Sequence, residues 1–154
     1  MNTTSSTVLT LPRDDLLIAA RRSPYRFLLA PAAVVAAIAH IPVTGPHLQE
    51  APYMGVLFIV LTAALFFLAM AALIRDSAAV YLATILTCAM ALIGYAATRT
   101  VAFPKLADDV GNWLEPLGIL SVLTEALALA AGLAALHRSQ PSNAHDRSTA
   151  DRSC

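Results

Sequence analysis

Charge is what this sequence has least of. Asp, Glu, Lys and Arg make up only 13% of its 154 residues, while 58% are hydrophobic. Soluble domains carry about 25% charged residues. The mean hydropathy of +0.67 points the same way. Such a composition excludes an ordinary water-soluble domain and directs the reading to the membrane, with the lipid bilayer as first partner. The length allows one domain. Ten basic and ten acidic residues cancel, so the chain offers nothing to nucleic acid.

Cysteine is nearly absent too. Cys88 lies midway along an apolar run and Cys154 is the last residue, so no CxxC pair exists. This excludes the four-helix thiol–quinone oxidoreductases, which need a redox dithiol, and leaves Cys88 as a small buried hydrophobe. No Ser–His–Asp pattern, nucleophile elbow or Gly-rich phosphate loop appears, which leaves hydrolase chemistry without support. Of the four histidines only His40 falls clearly within an apolar run. A b-type haem, held by paired histidines on facing helices, is therefore the less favoured cofactor.

What the sequence does contain is four long apolar runs, at about 27–43, 53–74, 78–98 and 116–136. The last three each hold about 20 apolar-dominated residues, and the first, at about 17, meets the lower limit for crossing a core of about 30 Å. The expected fold is all-α, an integral membrane four-helix bundle spanning residues 27–137. Ala32, Ala33, Ala36 and Ala37 form small-xxx-small pairs that let another helix approach closely. Residues 1–26 read as a cytoplasmic N-terminal segment in which 11–22, LPRDDLLIAARR, has the signs of a surface amphipathic helix. Residues 138–154 read as a disordered cytoplasmic tail. A rival reading makes Phe27–Ala39 the apolar core of a signal peptide cut before His40, although Pro31 interrupts it.

The basic residues orient the chain. Arg13, Arg21, Arg22 and Arg26 precede the first run, Arg75 separates the second from the third, and Arg138, Arg147 and Arg152 follow the fourth. Only Arg99 and Lys105 lie between the third and fourth. The positive-inside rule then puts both termini in the cytoplasm. The protein is expected in the cytoplasmic (inner) membrane as a multi-pass protein. Tyr53 and Trp113 fall where outer-interface aromatics belong, and Tyr25 where an inner one does.

The chain is organised around 39–53, AHIPVTGPHLQEAPY, between the first two runs. It carries His40, His47 and Glu50. The second outer loop adds Arg99, Lys105, Asp108, Asp109 and Glu115. Depth arithmetic links two groups inside the runs. His40 is 13 residues past Phe27, about 20 Å above the inner boundary at about 1.5 Å per residue. Glu125 is 9 residues past Pro116, which puts it about 17 Å above that boundary. If the first and fourth helices are neighbours, the two can touch. An ionisable group that deep costs about 2.5–3.5 kcal/mol on insertion scales and marks a site. The plainer alternative is a Glu–His hydrogen bond that fastens two helices.

His47 and Glu50 share a helix face if Pro46 opens the second helix early. With His40 and Glu125 they make a candidate metal set for a divalent transition metal such as Zn, Fe, Mn or Cu. The spacing H-x6-H-x2-E matches no strong metal signature, and it reverses the Glu-x-x-His order of di-iron bundles. Arg99 and Glu115 are candidate ligand-binding residues. Arg99 either snorkels to the interface or clamps Glu50, Glu115 or an anionic ligand. Asp108 and Asp109 read as a solvated loop, and Gly111–Asn112 as a turn.

With these residues in place, the pattern resembles a group of small bacterial four-helix membrane proteins. The matching pieces are His40, PHLQEAPYMGVLF (46–58), TRTVAFP (98–104) and EPLGILSVLTEALAL (115–129). The resemblance implies the four-helix fold and the choice of His40, His47, Glu50, Arg99, Glu115 and Glu125; it implies no reaction. Three functions compete. One is an outward-facing site that binds a metal ion or small ligand. Another is an accessory subunit of a larger membrane complex or homo-oligomer, using Ala-rich faces. The third is a small proton-coupled transporter, similar to small multidrug exporters in its single buried Glu. Those, however, carry the Glu in the first helix and show little charge bias.

Overall fold

In the computed structural model, which describes residues 23–139, the apolar runs become four α-helices: α1 (Arg26–Glu50), α2 (Pro52–Ile74), α3 (Ala78–Thr100) and α4 (Pro116–Ser139). All four are long and apolar enough to cross a membrane, and no strand occurs among the described residues. The readings made for residues 1–22 and 140–154 lie outside the described residues.

Helix α1 is where the structure departs from the hydropathy reading. It does not stop near Val43; it runs through Pro42, Gly45 and Pro46 to Glu50, so Pro46 opens no second helix. A proline inside a helix removes a hydrogen bond and costs about 3 kcal/mol in isolation. Packing overrides that local penalty. The extended part of α1 lies against α2 so closely that a Cβ on Gly55 would sit 2.5 Å from Leu48 Cγ. Thr44 Oγ1 also donates to the His40 carbonyl at 2.7 Å, adding a bond beside the prolines. The break comes at Ala51, because a residue before proline is pushed out of the α region. Ala51 has φ −135° and ψ 79°, and Pro52 opens α2 at a first position where no N–H is needed.

At the opposite end Arg75–Ser77 joins α2 to α3. Ser77 caps α3 by accepting from Val80 N. Asp76 uses both oxygens: Oδ1 accepts from Tyr81 OH at 2.6 Å and Oδ2 from Ser23 N. That ties the start of α1, the turn and α3 together.

Around the bundle α1 packs on α2 and α4, and α4 on α3. α2 and α3, though joined by three residues, touch least of the adjacent pairs. Two buried clusters run up the axis. One is Leu29, Ala72, Tyr81, Ala131 and Ala135 near the Arg75–Ser77 turn. The other, above it, contains Ala33, Ala36, Ala37, Leu65, Cys88 and Ala128. The alanine face of α1 is thus occupied within the bundle. Small residues let backbones approach, and the same holds for α3 and α4, where a Cβ on Gly132 would lie 2.9 Å from Ile85. Large apolar side chains, Phe67 and Ile74 among them, cover the outer faces instead.

Candidate functional site

Above these clusters the weak α2–α3 seam leaves a cavity of about 840 Å³. His40 and Glu125 lie at its inner end, and Arg99, Asp109, Glu115 and His47 at the end near the α3–α4 loop. The walls between are mostly apolar, with Leu61 and Phe58 from α2 and Met90 and Gly94 from α3.

His40 and Glu125 are 6% and 1% exposed, and His40 Nε2 stands 3.6 Å from Glu125 Oε1. The neighbouring of α1 and α4 brings them together at one level. Hydrogen bonds of this kind span about 2.7–3.2 Å, so the pair is close without being bonded. Glu125 Oε1 has no hydrogen-bond partner. His40 Nδ1 lies 2.7 Å from the Ala36 carbonyl oxygen. A carbonyl only accepts, so Nδ1 carries a hydrogen and Nε2 is the atom turned to Glu125. The Phe58 ring packs on both histidines, 5.4 Å from His40 and 5.0 Å from His47 between centroids.

Because α1 continues past Val43, His47 sits seven residues beyond His40 on the same face, two turns up by the 3.6-residue period. Its Nε2 is 3.9 Å from Asp109 Oδ2. Arg99, only 9% exposed, donates from Nη1 to Asp109 Oδ1 at 2.8 Å and to the Asp109 carbonyl at 3.2 Å, and stacks over Tyr95 at 4.8 Å. Of the two readings for Arg99 the geometry is that of a clamp, and its partner is Asp109 rather than Glu50 or Glu115.

Asp109 is the residue that the sequence reading missed. It read as solvated loop, but the loop folds back. Gly111, with φ +82°, donates its N–H to the Arg99 carbonyl at 2.9 Å. Leu106 is buried, and Tyr53 OH donates to the Pro104 carbonyl at 2.8 Å. A left-handed glycine here permits the turn. The only sequence signal was Gly111 itself, which marks a turn without saying where the turn leads.

Glu115 lines the cavity, but its carboxylate is engaged as a helix cap. It accepts from the Leu117 and Gly118 N–H groups at the start of α4, where negative charge is favoured. Gly118 allows α3 to approach there, since a Cβ would lie 2.7 Å from Tyr95.

Glu50 is exposed at the end of α1 and does not line the cavity. Of the expected metal set the structure brings His40 and Glu125 together and leaves His47 and Glu50 apart from them. Glu50 points elsewhere and His47 faces Asp109. Among the described residues no group of three or more His, Cys, Asp or Glu side chains is placed to hold a metal ion. Among the described residues no two histidines stand on facing helices as a b-type haem needs: His40 and His47 share one helix, and His137 is exposed at the far end of α4. The arrangement can hold an apolar body along the cavity and hydrogen-bond a polar group at its inner end. Comparison of the chain with family models, curated proteins and solved structures finds no match.

Proposed function

We propose that this chain is a multi-pass protein of the cytoplasmic membrane that binds a small organic ligand in the cavity between its helices. The unpartnered Glu125 Oε1 at the floor of a mostly apolar cavity carries the proposal. A carboxyl oxygen stripped of water and given no partner is costly, and ligand sites are where such groups are kept. The four apolar helices and the large apolar side chains on their outer faces fit a lipid surround. The same reading groups the chain with the small bacterial four-helix membrane proteins that its sequence resembles.

Both termini lie in the cytoplasm on this reading, and the cavity is nearer the opposite face. The distribution of Lys and Arg supports that orientation. Its test is labelling of intact cells with a membrane-impermeant maleimide. Asp108→Cys is expected to react and Arg75→Cys to react only after lysis; the reverse pattern overturns the orientation. The accessory-subunit reading loses its main motive, because the alanine face of α1 is buried against its own bundle.

Ligand binding is tested by occlusion. Gly94 lines the cavity, and a Cβ added there meets nothing within 4 Å. Native mass spectrometry of the full chain released from lipid nanodiscs is expected to show a retained small-molecule mass that Gly94→Phe loses. Identical spectra for the two proteins would overturn the reading.

A further inference from the structure

We infer that the ligand is an amphipathic amine, its ammonium group bridging His40 Nε2 and Glu125 Oε1 from the cavity side and its apolar body along the α2–α3 seam. This rests on the proposed reading of the cavity as a ligand site. Three observations carry it: the hydrogens present at the floor, the charges around the walls, and the shape of the rim.

No hydrogen bond joins the two groups at the floor. His40 Nδ1 directs its own to Ala36, which makes Nε2 of the neutral ring an acceptor. Glu125 Oε1 is an acceptor as well, without a partner, 3.6 Å away. With the carboxyl ionised, the state that a cationic ligand selects, two acceptors stand 3.6 Å apart, and one donor group beside them in the cavity can serve both. Ser121, one turn earlier on the same face of α4, also lines the cavity, and its hydroxyl can donate or accept. A hydroxyl has one hydrogen to offer; an ammonium has three, and a charge opposite to that of the carboxylate.

The wall charges select the sign. Arg99, Asp109, Glu115 and Glu125 line the cavity, one cation against three acids. Arg99, at the other end of the cavity from Glu125, gives Nη1 to Asp109 and keeps an unpartnered Nε, and Glu115 caps the start of α4. Glu125 is left facing no cationic side chain other than what His40 can provide. An anionic head group would meet this carboxylate with no free cation to offset it, so a cation is favoured.

The rim sets the body of the ligand. Leu57 and Val60 on α2 and Leu86 and Met90 on α3 line the cavity and are exposed on the outside of the bundle. The opening therefore runs between the two adjacent helices that touch least. An apolar chain lying there reaches the surrounding lipid while its head stays at the floor.

The test uses the full chain in phosphatidylcholine nanodiscs, whose quaternary head group has no N–H. Two photoreactive probes are compared, a diazirine-bearing dodecylamine and the matching dodecanol, with labelled residues mapped by mass spectrometry. The amine is expected to label the α2 and α3 cavity walls about tenfold or more above the alcohol, the range of a charge-assisted hydrogen bond. Glu125→Gln should bring the amine down to the alcohol's level, and Gly94→Phe should remove cavity labelling by both. Competition by phosphatidylethanolamine would identify a membrane lipid as the source of the amine. Competition by water-soluble hexylamine would identify a free amine, and either result supports the inference. Equal labelling by the two probes in the wild type, lost on occlusion, would sink the amine and leave the ligand site standing. Labelling that ignores Gly94→Phe would remove the ligand site and the amine together. The wild-type comparison requires no variant to fold.

Discussion

The two ends of this bundle treat one carboxyl each in opposite ways, although Ser23 Oγ and Arg26 Nε near the first of them also lack partners. Near the Arg75–Ser77 turn, half-buried Asp76 has a donor on each oxygen, and Leu29, Ala72, Tyr81, Ala131 and Ala135 form a buried cluster at that end. Toward the α3–α4 loop, Glu125 is more deeply buried, yet one of its oxygens accepts nothing and a cavity stands beside it. Both carboxyls belong to one short chain built from the same small residues. The difference teaches where stability has been kept and where it has been given up. A satisfied buried network ties helices together, whereas an unsatisfied one is a cost that function has to justify.

The contrast can be broken most sharply by adding the same bulk to each end. Ala33 is fully buried in the closed part of the bundle. Ala33→Leu is expected to lower stability by about 1–3 kcal/mol, as overpacking does, read by sodium dodecyl sulfate titration in mixed micelles. Gly94→Leu adds more atoms on the cavity wall but meets open space. It should leave the curve unchanged or shift it toward greater stability by up to about 1 kcal/mol, the helix penalty of glycine. Comparable losses from both would mean that the cavity is not space the side chain can occupy.

A smaller effect should come from Tyr81→Phe, which takes one of two donors from Asp76. Leaving that oxygen of half-buried Asp76 unpaired is expected to cost about 1 kcal/mol in the same titration; no loss would show that the Asp76 tie is idle. Least is expected from Glu125→Gln. The carboxyl oxygen it replaces has no partner to lose, and the new amide brings a donor toward His40 Nε2. A change within about 0.5 kcal/mol, toward stability if anywhere, is the expected outcome for a site that bears no structural load. A loss of the size seen for Tyr81→Phe would make Glu125 a helix fastener after all.

The four helices were legible because hydropathy is a local property: each apolar run is long enough by itself, whatever its neighbours do. The common level of His40 and Glu125 was legible too, since the rise of a helix turns residue number into height. The end of α1 was not. Pro42, Gly45 and Pro46 are local signals for a stop, and only the packing of Leu48 against Gly55 carries the helix past them. That one difference decides that His47 shares a face with His40.

Asp109 was illegible for a similar reason. Ten residues after Arg99 in a polar loop, it becomes the partner of Arg99 only because Gly111 turns the chain back.

By itself, then, the sequence determined how many helices form, how apolar they are and at what heights their polar groups lie. The tertiary structure alone decided which helices are neighbours, that α2 and α3 part, and that the gap between them ends at an unpaired carboxyl. The physical reason is that hydropathy and helical rise act along one helix, whereas a cavity exists only where two helices fail to meet.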